Sequence, residues 1–193
     1  MLLRSLCFAT ALISAASCAT AADYARQPVR SPYAFSWAGA YAGLAAGYDW
    51  GNVSNDSVGV ETNGGIGGAF VGYNFLSSPN TFWGVEADLF AGNLRGTEGA
   101  VSASRPWSGS FDGRIGYFIG DTAFYLRGGL SFAHSEIGGA SASNTGWNVG
   151  GGVEEHLSGN LFVRAEYRHS DFGKQNTVSA YGNSLVGGVG MKF

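Results

Sequence analysis

Few side chains in this chain can do chemistry, and their spacing limits what that chemistry can be. Glu86 and Asp88 stand two positions apart, so an extended backbone puts both carboxylates on one face, as a paired-carboxylate hydrolase needs. The same bookkeeping, however, sends Asp112, Glu154 and Glu166 inward together with Arg114, Arg127, Arg164, Arg168 and Lys192. Carboxylates sharing a narrow space with guanidiniums pair with them, and a paired carboxylate is a poor general acid or base. His169 and Ser170 are adjacent, so in a strand they point to opposite faces and cannot act as base and nucleophile. No other Ser, His and carboxylate set falls at one level, and the chain is read as a non-enzyme.

Thiol and metal chemistry are equally poorly supplied. Both cysteines, Cys7 and Cys18, lie in a leader: Arg4 gives a positive start, Leu6 to Ala16 an apolar stretch, and Ala19-Thr20-Ala21-Ala22 a small-residue cleavage region. Cleavage is expected after Ala21 or Ala22, which removes every thiol and leaves no cysteine-ligated metal site. Ala15-Ala16-Ser17 ahead of Cys18 lacks the leucine usual at a lipidation site, so a plain signal peptide over 1–22 is the reading. The segment 23–35, with Pro28, Pro32, Arg26 and Arg30, reads as an irregular lead-in, and 36–193 as the folded domain.

The charged residues must be positioned by strands. In 37–50 the even positions run Ala38, Ala40, Ala42, Leu44, Ala46, Tyr48, Trp50, while the odd positions from 39 are mostly small and carry Asp49. The alternation recurs with Ala69, Val71, Tyr73 and Phe75 outward, then Trp83, Val85, Ala87 and Leu89, then Trp107, Phe111, Ile115, Tyr117 and Ile119. It continues with Phe124, Leu126, Leu130 and Phe132; Trp147, Val149 and Val153; Leu161, Val163, Ala165 and Tyr167; and finally Leu185, Val189, Met191 and Phe193. Eight such segments, each with one apolar and one small or charged face, predict an all-β, eight-stranded antiparallel transmembrane up-and-down barrel.

Composition agrees. Glycine numbers 32, aromatics make up 14% and charged residues only 13%, where a water-soluble domain carries about 25% charge. No apolar run after residue 22 is long enough for a membrane helix. Losing Arg4 with the leader takes the net charge from −3 to about −4, which speaks against nucleic acid as a partner. Short turns are expected at Ser77-Ser78-Pro79-Asn80, Gly120-Asp121-Thr122 and Ser158-Gly159-Asn160. Long, mobile Gly/Ser/Asn-rich loops are expected over 51–64, 92–106, 135–145 and 173–183, anchored by little beyond Leu94 and Ile137. Short turns on one side and long loops on the other put both termini in the periplasm. Trp50, Trp107, Phe132, Trp147 and Tyr167 then form an outer aromatic girdle, and Phe75, Trp83, Tyr117, Phe124 and Phe193 an inner one.

Several of these segments resemble one family. Trp37-Ala38-Gly39-Ala40-Tyr41-Ala42-Gly43-Leu44-Ala45-Ala46-Gly47-Tyr48, Gly72-Tyr73-Asn74-Phe75, Gly84-Val85-Glu86-Ala87-Asp88 and Gly113-Arg114-Ile115-Gly116-Tyr117 are similar to the small outer-membrane immunogenic proteins of alpha-proteobacteria, in the opacity/OmpA-like barrel group. So are Gly128-Gly129-Leu130, Gly146-Trp147-Asn148-Val149-Gly150-Gly151-Gly152-Val153-Glu154 and Ala165-Glu166-Tyr167-Arg168-His169-Ser170-Asp171-Phe172-Gly173, so the resemblance covers nearly all of the chain after the leader. It implies a Gram-negative outer-membrane location, outer-membrane lipid as surroundings, and recognition by the barrel-assembly machinery through Leu185, Val189, Met191 and Phe193. Met191 stands where that signal commonly has an aromatic, and Glu155 is a second departure, at the end of the sixth strand.

The resemblance implies a structural, surface-exposed protein that supports envelope integrity and host or surface interaction. A narrow porin for small solutes is one alternative. A haemin-binding surface protein is the other, because members of the resembling family include such proteins, and His134 and His169 fall at the outer ends of their strands as candidate axial ligands. His156 falls at the opposite end, outside that site. An eight-stranded barrel is just wide enough for side chains to fill, which favours a plugged lumen over a selectivity ring. No cofactor other than this haem is expected, and the oligomeric state is left open.

Overall fold

The computed structural model describes residues 35–54, 58–137, 140–175 and 178–193. They form eight strands: β1 (Gly39–Ser54), β2 (Gly59–Ser78), β3 (Thr81–Glu98), β4 (Val101–Ile119), β5 (Thr122–Ile137), β6 (Ala140–Ser158), β7 (Leu161–Gln175) and β8 (Val178–Lys192). Each pairs antiparallel with the next, and β1 closes on β8, giving an up-and-down barrel with no free edge. The signal peptide and almost all of the lead-in lie outside the described residues.

The wall is apolar outside and charged inside because the strands alternate. Leu44 and Leu126 are each 66% exposed, and Val71, Leu89, Phe111, Ile115, Leu130 and Leu185 are exposed with them. A continuous band of large apolar side chains turned outward is stable only where hydrocarbon is the solvent. The aromatic girdles bracket it. Trp50 meets Tyr167 and Trp107 meets Phe132, each at 6.4 Å between ring centres, at one end, while Phe75 stacks on Trp83 at 4.3 Å at the other.

Closing a sheet on so small a radius crowds its inner face, and glycine relieves the crowding. A Cβ on Gly43, Gly47 or Gly51 of β1 would collide with the carbonyl oxygens of Val189, Leu185 and Tyr181 along the closing β8 seam. Much of the glycine content therefore serves close approach of neighbouring strands.

Among the described residues, the four stretches expected as long loops are mostly strand. β3 turns into β4 over Gly99 and Ala100, and the strands on the hairpin side run on until 15–20 residues long, where about 9–11 suffice to cross a bilayer. Their polarity inverts beyond the outer girdle. Outward positions become Asn52, Glu61, Asn63, Arg95 and Glu136, while Val53, Val60, Ala103, Ala133, Ile137, Phe172 and Ala180 pack together inside. The Gly/Ser/Asn-rich stretches are thus the water-facing half of the same barrel, with an apolar core of their own. Leu94 and Ile137, expected as loop anchors, are buried inward residues of β3 and β5.

Two further expectations change at particular residues. The wall begins at Gly39, whose φ of 99° turns the chain, and Trp37 before it is only 3% exposed, inserted in the mouth of the barrel. On β4 the ladder with both neighbours slips between Ser104 and Trp107, so Trp107 faces out and Arg105, also odd-numbered, faces in. Pro106 sits at the slip, where its missing N–H cannot serve the ladder.

Candidate functional site: a closed ionic lumen

Every member of the sequence-derived charge set points inward, and nine of the ten are joined in one network. Glu86 of β3 is its hub. Its carboxylate accepts from Arg164 at 3.0 and 2.8 Å in a two-pronged pair, from Arg127 at 2.6 Å, from Arg114 at 2.9 Å and from the Tyr41 hydroxyl at 2.7 Å. Arg164 continues to Glu154 at 2.6 Å, and Arg114 reaches the same carboxylate oxygen at 3.0 Å. Arg127 bridges onward to Asp88 at 2.6 Å, to Glu166 at 3.2 Å and to Asp112. Arg168 holds Asp88 at 3.1 and 2.9 Å and Glu166 at 2.7 Å.

Neutral side chains add further contacts to the carboxylates. Tyr125 donates to Glu166 at 2.6 Å, Asn148 to Asp112 at 2.7 Å, and Ser110 lies 2.9 Å from Asp88 and 2.5 Å from Asp112. Aromatic faces cover the guanidiniums: Arg164 sits 3.9 Å from the centre of Phe70 and Arg114 4.0 Å from that of Tyr125. Such contacts suit weakly hydrated, planar cations out of water.

Lys192 does not join the ion pairs. It lies at the short-turn mouth, where Nζ donates to the carbonyl of Trp37 at 2.6 Å and stands 4.7 Å from the centre of the Tyr41 ring. Asn74 donates to the same carbonyl at 3.0 Å, so the Trp37 plug is pinned from two strands. Sequence reasoning also left out the Arg105–Asp49 pair, higher in the lumen, where Arg105 lies 5.1 Å over the Phe172 ring. The slip at Pro106 was the available signal for Arg105. With that pair, the buried charges among the described residues are six acids, Asp49, Glu86, Asp88, Asp112, Glu154 and Glu166, against six cations, Arg105, Arg114, Arg127, Arg164, Arg168 and Lys192.

From mouth to hairpin tips the lumen is therefore filled in layers. Trp37, Phe82, Ala123 and Tyr125 close one end, the ionic network and the Tyr41–Phe70–Phe162 aromatic cluster fill the middle, and the Val53–Ile137–Phe172 cluster caps the other end. Glu86 and Asp88 are both committed to guanidiniums, so neither is poised as a general acid or base.

The histidines fall elsewhere. His134 and His169 both project from the outer wall, His134 beside Ser143 at 3.2 Å and His169 beside Asn183 at 2.9 Å. On the intervening β6, His134 lies opposite Ser143 and His169 opposite Val149. Six residues of strand separate those levels by roughly 20 Å, so the two rings do not fit one haem iron between them. Ser170 pairs across the sheet with the buried Asn148 on the lumen side while His169 faces out, so they share no site. Leu185, Val189, Met191 and Phe193 form an exposed outer row on and just past β8, the strand that closes the barrel.

An antiparallel closed barrel with an apolar outer band, aromatic rims and a neutral charged interior is an outer-membrane β-barrel. Residues 8–193 match the outer membrane protein beta-barrel domain family, and the chain belongs to it. It is 30% identical over 177 residues to the 25 kDa outer-membrane immunogenic protein of Brucella abortus biovar 1 (strain 9-941), covering 86% of this chain and 83% of that relative. It is 32% identical over 170 residues to the 22 kDa outer membrane protein of Rhizobium leguminosarum bv. viciae, covering 82% and 79%. The crystal structure of Neisserial surface protein A (NspA) has the same fold, with a TM-score of 0.55 at 20% identity over 80% of this chain and 99% of that one. The protein is located in the Gram-negative outer membrane.

Proposed function

We propose that this protein is a non-conducting, non-enzymatic structural barrel that supports the envelope and presents its hairpin ends at the cell surface. The observation that carries the reading is the lumen: twelve buried charges balance and are covered by packed layers at both ends. A selectivity ring would leave like charges facing water. Here the guanidiniums are spent on carboxylates and aromatic faces. The short-turn end, with both ends of the barrel domain, faces the periplasm in this reading, and the inverted, polar-outside hairpins face outward. The names of the immunogenic relatives support surface exposure of those hairpins. Residues 1–22 act as the removed signal peptide, outer-membrane lipid surrounds the wall, and the row ending in Phe193 is presented to the barrel-assembly machinery.

Planar-bilayer recording on refolded, purified protein tests this against the narrow-porin alternative. The expected result is no stable unitary conductance. Reproducible unit steps from protein free of contaminating porins would replace the structural reading with a channel.

A further inference from the structure

Three separate pieces of chain converge on His156 at the short-turn mouth. Its ring Nδ1 lies 3.0 Å from a carboxylate oxygen of Asp121, in the β4–β5 turn, and Nε2 lies 3.1 Å from the carbonyl of Gly159, in the β6–β7 turn. Its backbone N–H donates to the Asp121 carbonyl at 2.8 Å. The ring stacks on Phe35, 3.9 Å between centres and 19° from parallel, and Phe35 meets Trp37 edge-on at 4.9 Å. Trp37 is the side chain that closes the mouth.

Both ring nitrogens therefore face groups that can only accept. A neutral imidazole carries one N–H and satisfies one of them; only a ring with a proton on each nitrogen satisfies both. We propose that His156 is a proton-dependent clamp that ties the two turns together and holds the Phe35–Trp37 plug in the mouth. With both nitrogens protonated the clamp is complete. As pH rises and the ring loses a proton, one nitrogen turns a lone pair on its acceptor, the attraction to the Asp121 charge disappears, and the stack on Phe35 loses its fixed ring. The plug is tighter in acid and looser in alkali, and on the proposed orientation it responds to periplasmic pH.

One other titratable group, Lys192, bears on the same plug. On β6 itself Glu155 accepts from Thr122 of β5 at 2.6 Å, and Glu154 is engaged by Arg164 and Arg114. β7 places the uncharged Phe162 opposite His156, and Lys192 of β8 is held on the Trp37 carbonyl. Asp121 is the carboxylate bonded to the ring.

Hydrogen exchange of the peptide spanning Phe35 to Ala38, in the refolded protein in lipid vesicles and corrected for intrinsic rates, tests the clamp by comparing about pH 5.5 with about pH 8. Asp121 is 69% exposed, so losing this bond predicts exchange up to about fivefold faster at the higher pH. His156→Phe keeps the stack but has no N–H, so it exchanges faster than wild type at about pH 5.5 and keeps only the pH dependence that Lys192 supplies, which Lys192→Met in the same background removes; Asp121→Asn shrinks the wild-type pH dependence. Equal exchange at both pH values in the wild type, or a wild-type pH response in His156→Phe, overturns the proposal. Should that variant not fold, the nitrogen chemical shifts of His156 in the wild type decide: one protonated nitrogen instead of two at about pH 5.5 also overturns it.

Discussion

Replacing Glu86 by glutamine removes one negative charge from the lumen and almost no volume. In the wild type that carboxylate faces three guanidiniums, from Arg164, Arg127 and Arg114, within 2.6–3.0 Å, and it accepts the Tyr41 hydroxyl proton as well. After Glu86→Gln the six buried cations face five acids. Arg164 and Arg114 retain Glu154, and Arg127 retains Asp88, Asp112 and Glu166, so no guanidinium is stripped bare, yet one positive charge is uncompensated out of water. The glutamine NH2 also points a donor where a guanidinium N–H already points. Removing one partner of a buried ion pair costs about 3–5 kcal/mol, and this case belongs in that range because both sides of each pair are only 1–2% exposed. The assay is urea unfolding in lipid vesicles with tryptophan fluorescence, wild type against Glu86→Gln, with equal slopes checked so that the midpoint shift reads as free energy. A companion variant, Glu86→Gln with Arg164→Met, restores neutrality and should lose less than the sum of the two single changes. A loss below about 1 kcal/mol for Glu86→Gln, or strict additivity in the double variant, would refute the claim that a balanced network holds the barrel together.

Two other perturbations test the wall. Leu126→Arg puts a charge in the outward apolar band and should cost about 2–4 kcal/mol in vesicles if it lies near the midplane; Glu136→Lys, on the water-facing part of the same strand β5, should move stability little, and similar losses for both would contradict the placement of the bilayer. Gly47→Val should prevent closure of β1 on β8, because the new Cβ would meet the Leu185 carbonyl and Val186; in heat-modifiability gels the compact, fast-migrating form would be lost, and a normal gel shift would show that the seam has room.

The alternation of outward and inward residues was legible in the chain because it follows from covalent geometry: successive side chains of an extended backbone point to opposite faces whatever they pair with. Leu44, Phe111 and Leu126 had to face out once Asp49, Asp112 and Arg127 faced in, and eight such segments made the barrel. The inward identity of all ten charges came from the same parity. Three things needed the tertiary structure. Arg105 escaped because a slipped ladder at Pro106 reverses parity locally, and parity counting assumes an unbroken strand. The described parts of the Gly/Ser/Asn-rich stretches are strands, not loops, because polarity inverts where the barrel leaves the bilayer: water outside selects Glu61 and Asn63 for the outer face, and Val53, Val60 and Ile137 then cluster within. Which charge meets which was also invisible. Glu86 and Arg164 are 78 positions apart and sit on strands that are not neighbours, so their contact depends on the radius, tilt and stagger at which the sheet closes. A face is a local property of the backbone; a partner across the lumen exists only once the ring is shut.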